Sequence, residues 1–287
     1  MITPNEQYTR LAKVIGYDDL YFKREDLHPL GSHKGRSIPV MIDYHYAKGS
    51  KSFAVSSSGN AALAAALYIK DMPDVSLEIF VGENISPTKL AKLTKIAEEE
   101  KRIKVTGVAR PVQALMQALQ KGATSLRQST DDTALIGYES LAKEISTMTK
   151  VSAVFMGTSS GTTAQALAQY FLKGKRSVQV HIVQTSSCHP MAEEFKNVGI
   201  DNESSLADAI VDKTAFRKPA LLPLIKQTGG SGWCATNEDI LMAQRLTKTY
   251  TGLDISTNSA LSVVGTLQAA RAKYAIKGPV VCVICGD

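Results

Sequence analysis

Short runs rich in β-branched and aromatic residues alternate along the chain with longer alanine- and leucine-rich stretches at helical spacing. The runs "LYFKRE", "SFAVSSS", "SLEIFVG", "RIKVTG", "SAVFMGT", "SVQVHIVQTS" and "PVVCVICGD" predict strands. Between most of them lie predicted helices such as "TALIGYESLAKEISTMT" and "TTAQALAQYFLKG". This alternation implies an α/β fold, with parallel sheets covered by helices on both faces. Ligands in such folds bind at the carboxyl ends of strands, beside helix N-termini. No repeat of fixed period or low-complexity tract interrupts the pattern. Only residues 201–232 change texture, mixing polar, proline and glycine signals, and they read as a loop-rich connection.

The chain has 287 residues, 44% of them apolar, which suffices for one large or two modest domains. No apolar run approaches the roughly 18–20 residues that span a bilayer, and "MITPNEQYTR" lacks the order of a signal peptide. A cytoplasmic protein is therefore expected, with no membrane partner. Cys188, Cys234, Cys282 and Cys285 are too few and scattered for a disulfide framework. Cys282 and Cys285 match C-x-x-C, but in a buried strand residues three apart point to opposite faces, so neither a redox pair nor a metal site is expected. The net charge is +6, yet lysines are interspersed with acids, as in "KLAKLTKIAEEEKRIK", and no aromatic residues interleave with a basic block. The pattern is that of diffuse solvated charge, and no nucleic-acid partner is expected.

Three polar turns carry candidate chemistry. "GTSSGTT" follows a predicted strand and opens a helix; its small residues and hydroxyls offer converging donors to an anion. A serine-capped helix would look the same locally. "SSSGN" likewise follows "SFAV", and its amides and hydroxyls suit a carboxylate, although a simple helix cap again competes. "GSHKGR" holds Lys34. A lysine amine forms Schiff bases with carbonyls once burial or a nearby cation lowers its proton affinity, although most loop lysines are merely solvated.

Together, a phosphate cradle, a carboxylate turn and an activatable lysine are the parts needed to hold pyridoxal 5'-phosphate and an amino acid. In the order "YFKREDLHPLGSHKGR", "SSSGNAALA", "GTSSGTT" and "ICGD" the chain resembles the fold type II pyridoxal-phosphate enzymes, the superfamily of tryptophan synthase β, threonine synthase, serine/threonine dehydratase and cysteine synthase. The resemblance implies two domains, each with a largely parallel twisted sheet flanked by helices, and the cofactor in the cleft between them. It implies a large cofactor-binding domain of residues 1–37 with 138–287, a small mobile substrate-side domain of residues 38–137, and a homodimer.

It further implies that Lys34 bonds covalently to the cofactor and that Asn60 binds the ring hydroxyl. Ser57, Ser58 and Gly59 would surround the substrate carboxylate. Gly157, Thr158, Ser159, Ser160, Gly161 and Thr162 would wrap the phosphate. His33 resembles the tryptophan synthase β version of the motif, by the phosphate, whereas Arg36, on the substrate side, resembles the Lys-x-Arg of threonine synthase and dehydratases. Cys285 stands where the family commonly has serine or threonine facing the pyridine nitrogen, with Asp287 a competitor for that contact.

The implied function is elimination or replacement on a small L-amino acid with a leaving group. "AIVDKTAFRKPALLPLIKQTGGSGWCATNEDILMAQRL" is most similar to threonine synthase-like enzymes. Arg36, Arg217 and Lys218 are available cations for a substrate phosphate, the latter two explained at least as well as surface residues. Serine/threonine dehydratase or cysteine synthase-like chemistry is the alternative. A noncatalytic pyridoxal-phosphate-binding protein and a phosphate-binding α/β domain without that cofactor are further alternatives.

Overall fold

The structure is a computed structural model that describes residues 2–57, 59–83, 85, 87–195 and 204–286. The strands are β1 (Asn5–Gln7), β2 (Leu20–Arg24), β3 (Ser52–Ser56), β4 (Ser76–Gly82), β5 (Ile103–Val108), β6 (Thr124–Ser125), β7 (Ala153–Gly157), β8 (Gln179–Thr185), β9 (Gly232–Ala235) and β10 (Val280–Ile284). The helices are α1 (Thr9–Ile15), α2 (Ile38–Ala47), α3 (Asn60–Ile69), α4 (Pro87–Glu99), α5 (Pro111–Gln120), α6 (Thr133–Ser146), α7 (Thr162–Lys173), α8 (Lys218–Gln227), α9 (Asn237–Thr251) and α10 (Thr257–Arg271). They form two compact units, Met1–Leu27 with Tyr138–Asp287, and His28–Gly137.

The first unit holds a six-stranded sheet in the order β1-β2-β10-β7-β8-β9, parallel throughout except for the antiparallel edge strand β1. Every residue of β10 is buried. A central parallel strand is covered on both faces, so its sequence "VVCVI" runs apolar without alternation. Leu11, Phe22, Phe155, Trp233 and Val264 belong to this unit's core. The second unit holds a four-stranded parallel sheet, β5-β4-β3-β6. Its core gathers Ile38, Met41, Phe53, Ala65 and Ile79. Edge strand β5 alternates instead, with Ile103 buried and Lys104 and Thr106 exposed.

All seven predicted strands are present, and the α/β class with two helix-flanked sheets holds. Residues 201–203 lie outside the described residues, and residues 204–232, the described part of the stretch read as a loop-rich connection, are less loop-like than their composition implies. They contain α8, in which Leu221 and Ile225, one turn apart, are buried. Pro219 lies in the first turn, where no helical N–H is needed, and Pro223 sits on the exposed side. The C-x-x-C geometry also differs from expectation. β10 ends at Ile284, so strand alternation does not carry to Cys285, and both sulfurs face α10: Cys282 Sγ is 3.6 Å from Ser262 O, and Cys285 Sγ is 3.6 Å from Ser259 Oγ. Nor are all lysines solvated. Lys23 in β2 is fully buried, donating to Thr3 O at 2.7 Å and pairing with Glu144 at 2.5 Å.

His181 in β8 is a buried histidine with a structural role. It stacks on Phe155 with ring centroids 4.2 Å apart. Its Nδ1 accepts from Ser231 N at 3.1 Å and Trp233 Nε1 at 3.2 Å, so the ring proton sits on Nε2, which donates to Gln179 Oε1 at 3.1 Å. Burial pushes its pKa down to about 3. The unfolded chain therefore takes up a proton below pH ~6.5 that the folded chain refuses, and stability falls as pH drops from ~6.5 towards 3. The share of His181 between pH 6.5 and 5 is about 1.5 kcal/mol. Urea unfolding of wild type and His181→Asn over that window should show the loss only in wild type; parallel profiles would contradict the assignment.

Candidate active site

Lys34 lies on a 3-10 turn, His33–Arg36, immediately before α2. Ser32 caps the turn, its Oγ accepting from Lys34 N at 3.2 Å. Serine before a histidine–lysine–glycine sequence thus folds into one tight turn, with His33 and Lys34 half-buried and Arg36 buried. Lys34 Nζ donates to Gln128 Oε1 at 2.7 Å, and Gln128 Nε2 donates to Ser37 Oγ. Gln128 was not singled out from sequence. It follows β6, whose two residues give no readable strand pattern, although a polar residue just past a strand is the signal that marks the other turns.

The second turn leaves the carboxyl end of β3, the strand between β4 and β6. Ser57 Oγ accepts from Gly59 N at 3.3 Å. Gly59 is the N-cap of α3 with no side-chain capping bond, and Asn60 is the first helical residue. The cap that competed for Asn60 in the sequence is therefore not what forms, and its half-buried side-chain amide makes no hydrogen bond among the described residues. Ser58 lies outside the described residues.

The third turn leaves β7 and enters α7. Thr158 N donates to Val183 O at 2.8 Å and Thr158 Oγ1 to Met156 O at 3.1 Å. Ser160 Oγ and Thr162 Oγ1 are 3.0 Å apart, and Ser159 Oγ accepts the amides of Val211 and Asp212 at 3.2 and 3.3 Å. Gly161 is the N-cap of α7 at φ +83°, again without a side-chain cap. A serine cap is thus excluded here too, and the first-turn amides have no intrahelical acceptor. Arg217, for which the sequence leaves open a surface position or a role towards a substrate phosphate, is not a surface residue but is buried against this turn: Nε donates to Thr162 Oγ1 at 3.1 Å and Nη1 to Gln165 Oε1 at 3.3 Å. Lys218 does remain a surface residue, paired with Glu193 and Glu194.

Cys285 follows β10. Because β10 lies beside β7, this turn and the one opening α7 share one end of the sheet. Cys285 N donates to Ser259 Oγ at 3.1 Å, and the half-buried thiol lies 3.6 Å from the same hydroxyl. Ser256 caps α10 and donates to Gly286 O at 2.8 Å, fixing the turn. Ser259, absent from the sequence expectations, is the group that orients Cys285. Asp287 lies outside the described residues.

The sequence profile of the family described as "Pyridoxal-phosphate dependent enzyme" matches residues 2–286. The chain belongs to this family. It is 24% identical over 278 residues to a threonine synthase of Methanosarcina acetivorans, across 92% of this chain and 68% of that protein. A crystal structure of a pyridoxal 5'-phosphate-dependent aspartate racemase superposes with TM-score 0.81 at 20% identity, covering 100% of this chain and 90% of the other. A threonine deaminase from Solanum lycopersicum superposes with TM-score 0.80 at 18% identity, covering 99% and 78%. As a pyridoxal-phosphate-dependent enzyme the chain must supply a primary amine, donors for a phosphate and a partner for the ring, and its residues fit. Lys34 has a primary amine on a half-buried side chain. The Gly161 turn has uncharged amides and hydroxyls at a helix N-terminus, of the kind that suits a phosphate. The half-buried thiol of Cys285 is a weak donor or acceptor at the end of β10.

The Gly161 turn admits no side chain without strain. Its φ is left-handed, and a Cβ there would lie 2.7 Å from Leu221 Cδ2. Gly161→Ala should cost about 1–2 kcal/mol in backbone strain alone and weaken pyridoxal-phosphate affinity. Equilibrium dialysis of the folded variant checks this, and unaltered affinity would argue against the turn as the phosphate cradle.

Proposed function

We propose that this enzyme carries out elimination or replacement on a small L-amino acid bearing a leaving group, with threonine synthase-like chemistry as the leading form. The observation that carries the reading is Lys34 on its capped turn, its amine donating to Gln128 Oε1 at 2.7 Å. A lysine amine in such a turn can serve as nucleophile and as base.

In this reading Lys34 would hold pyridoxal phosphate covalently, residues 157–162 and His33 would serve its phosphate, and Asn60 and Cys285 would serve its ring. When bound, the cofactor withdraws electrons from the substrate Cα and makes its proton acidic. Lys34 would both hold the cofactor and supply the amine that takes up the Cα proton of the substrate. Ser57, Ser58 and Gly59 would hold the substrate carboxylate, and Arg36 would be a further substrate-side cation. Cys285 at the ring nitrogen would bring no carboxylate charge, an environment suited to loss of a leaving group rather than transamination, whereas Asp287 in that place would favour the protonated ring. The proposed assembly is a homodimer, and the proposed location cytoplasmic.

Gly59 offers a clean test of the carboxylate site, because a Cβ there meets no atom within 4 Å and its φ is not left-handed. Gly59→Ala should leave thermal stability unchanged and raise KM about tenfold or more, because the added methyl would take the space of the carboxylate and push it off a charge-assisted hydrogen bond. An unchanged KM would remove Gly59 from the site. The reaction itself is tested by supplying serine, threonine and homoserine and their O-acylated or O-phosphorylated derivatives. Threonine from O-phosphohomoserine supports the leading form; 2-keto acid and ammonia indicate a dehydratase, and a substituted alanine indicates β-replacement. Absence of any product with bound cofactor would indicate a binding protein.

A further inference from the structure

We infer that Gln128 is the positioning residue for Lys34, a neutral rest for its amine whenever that amine is not bonded to the cofactor. The inference rests on Lys34 being the residue that carries pyridoxal phosphate.

Gln128 is 6% exposed and Ser37 fully buried, so the polar groups of both must be satisfied within the protein. A lysine ammonium only donates, which turns the amide oxygen of Gln128 towards Lys34 and its N–H2 towards Ser37 Oγ. Ser37 is the residue at which the 3-10 turn passes into α2. Amine, amide and hydroxyl thus form one chain that starts and ends on the segment bearing the lysine, with Gln128 reaching in from 94 residues away. An amide carbonyl accepts from an amine whether or not the amine carries its extra proton. A carboxylate in the same place would favour the charged ammonium and suppress both the nucleophile and the base.

Other charged and titratable groups stand on the turn and on the elements around it, Asp132 just before α6 among them. His33 and Arg36 share the turn, His28 lies against Gly35, and His45 on α2 pairs with Asp131 at 2.7 Å. Arg127, beside Gln128, donates to Ser129 Oγ at 3.0 Å. Helix α3, which packs on the turn, carries no charged side chain.

The test uses the full chain, stripped of cofactor and titrated with pyridoxal phosphate. The rate of covalent linkage is followed by visible absorption across pH, and the linked residue is mapped after borohydride reduction. Gln128→Glu keeps the shape and should move the pH midpoint of linkage upward by about one unit or more. Gln128→Leu removes the acceptor and should slow linkage about tenfold or more, a lost hydrogen bond to a charged group. A purely structural Gln128 would lower thermal stability in both variants and leave midpoint and rate at wild-type values, which would overturn the inference. If Gln128→Leu fails to fold, the midpoint of the isosteric Gln128→Glu decides alone. Label on Lys34 with unmoved midpoints refutes only the role of Gln128; label on another lysine of the wild type refutes the site with it.

Discussion

Lys34→Ala should lose the covalent link to pyridoxal phosphate and nearly all turnover, while remaining folded. One amine serves as anchor and as base, and the proton-transfer role alone is worth about 10²- to 10⁴-fold. Thermal stability should change little, since Lys34 is half-buried and its side chain is not part of either core. The variant should still bind the cofactor reversibly through the Gly161 turn and Asn60. Parallel measurement of visible spectrum, turnover and melting temperature separates these effects. A folded Lys34→Ala protein with a borohydride-reducible link and wild-type turnover would remove Lys34 from the mechanism.

Gly137→Ala should damage stability and activity together, although residue 137 bears no reactive group. Gly137 lies within α6, where its missing side chain lets the lysine-bearing turn lie directly on the helix. A Cβ there would sit 2.3 Å from Arg36 O and 2.4 Å from Ser37 Cα. These are backbone atoms, which cannot rotate away as a side chain would. Restoring ordinary contact needs a displacement of about 1 Å, a misplacement that can cost about 10²-fold in rate. Overpacking of this kind destabilises by about 1–3 kcal/mol. Gly107 in β5, where a Cβ meets nothing within 4 Å, supplies the control: Gly107→Ala should be silent. If Gly137→Ala matches that control in urea unfolding and in kcat, the turn is not held by α6.

Much of the fold was legible because long parallel strands are written as apolar runs and helices as alanine- and leucine-rich spacing. The strands missed were β1, β6 and β9, which have three, two and four residues and too few positions to show a period. Helix α8 was hidden by its prolines, although Leu221 and Ile225 keep helical spacing. The polar turns were legible because they stand directly after readable strands. Which side chain touches which was not. Gln128 reaches Lys34 from 94 positions away, and Arg217 reaches Thr162 from 55. No local pattern encodes contacts made only by the tertiary fold. Ser259 was equally silent, being one of several small polar residues in "STNSALS" until α10 brings it against Cys285.

The central claim is that Lys34 forms the covalent bond to pyridoxal phosphate, and reduction followed by peptide mapping tests it most directly. Protein saturated with the cofactor is treated with borohydride, denatured and digested with trypsin. A modified Lys34 resists cleavage, so the predicted product is one labelled peptide spanning residues 25–36, "EDLHPLGSHKGR", in place of the fragments cut after Lys34. Label on a different lysine, with the unmodified cut after Lys34 intact, would contradict the account.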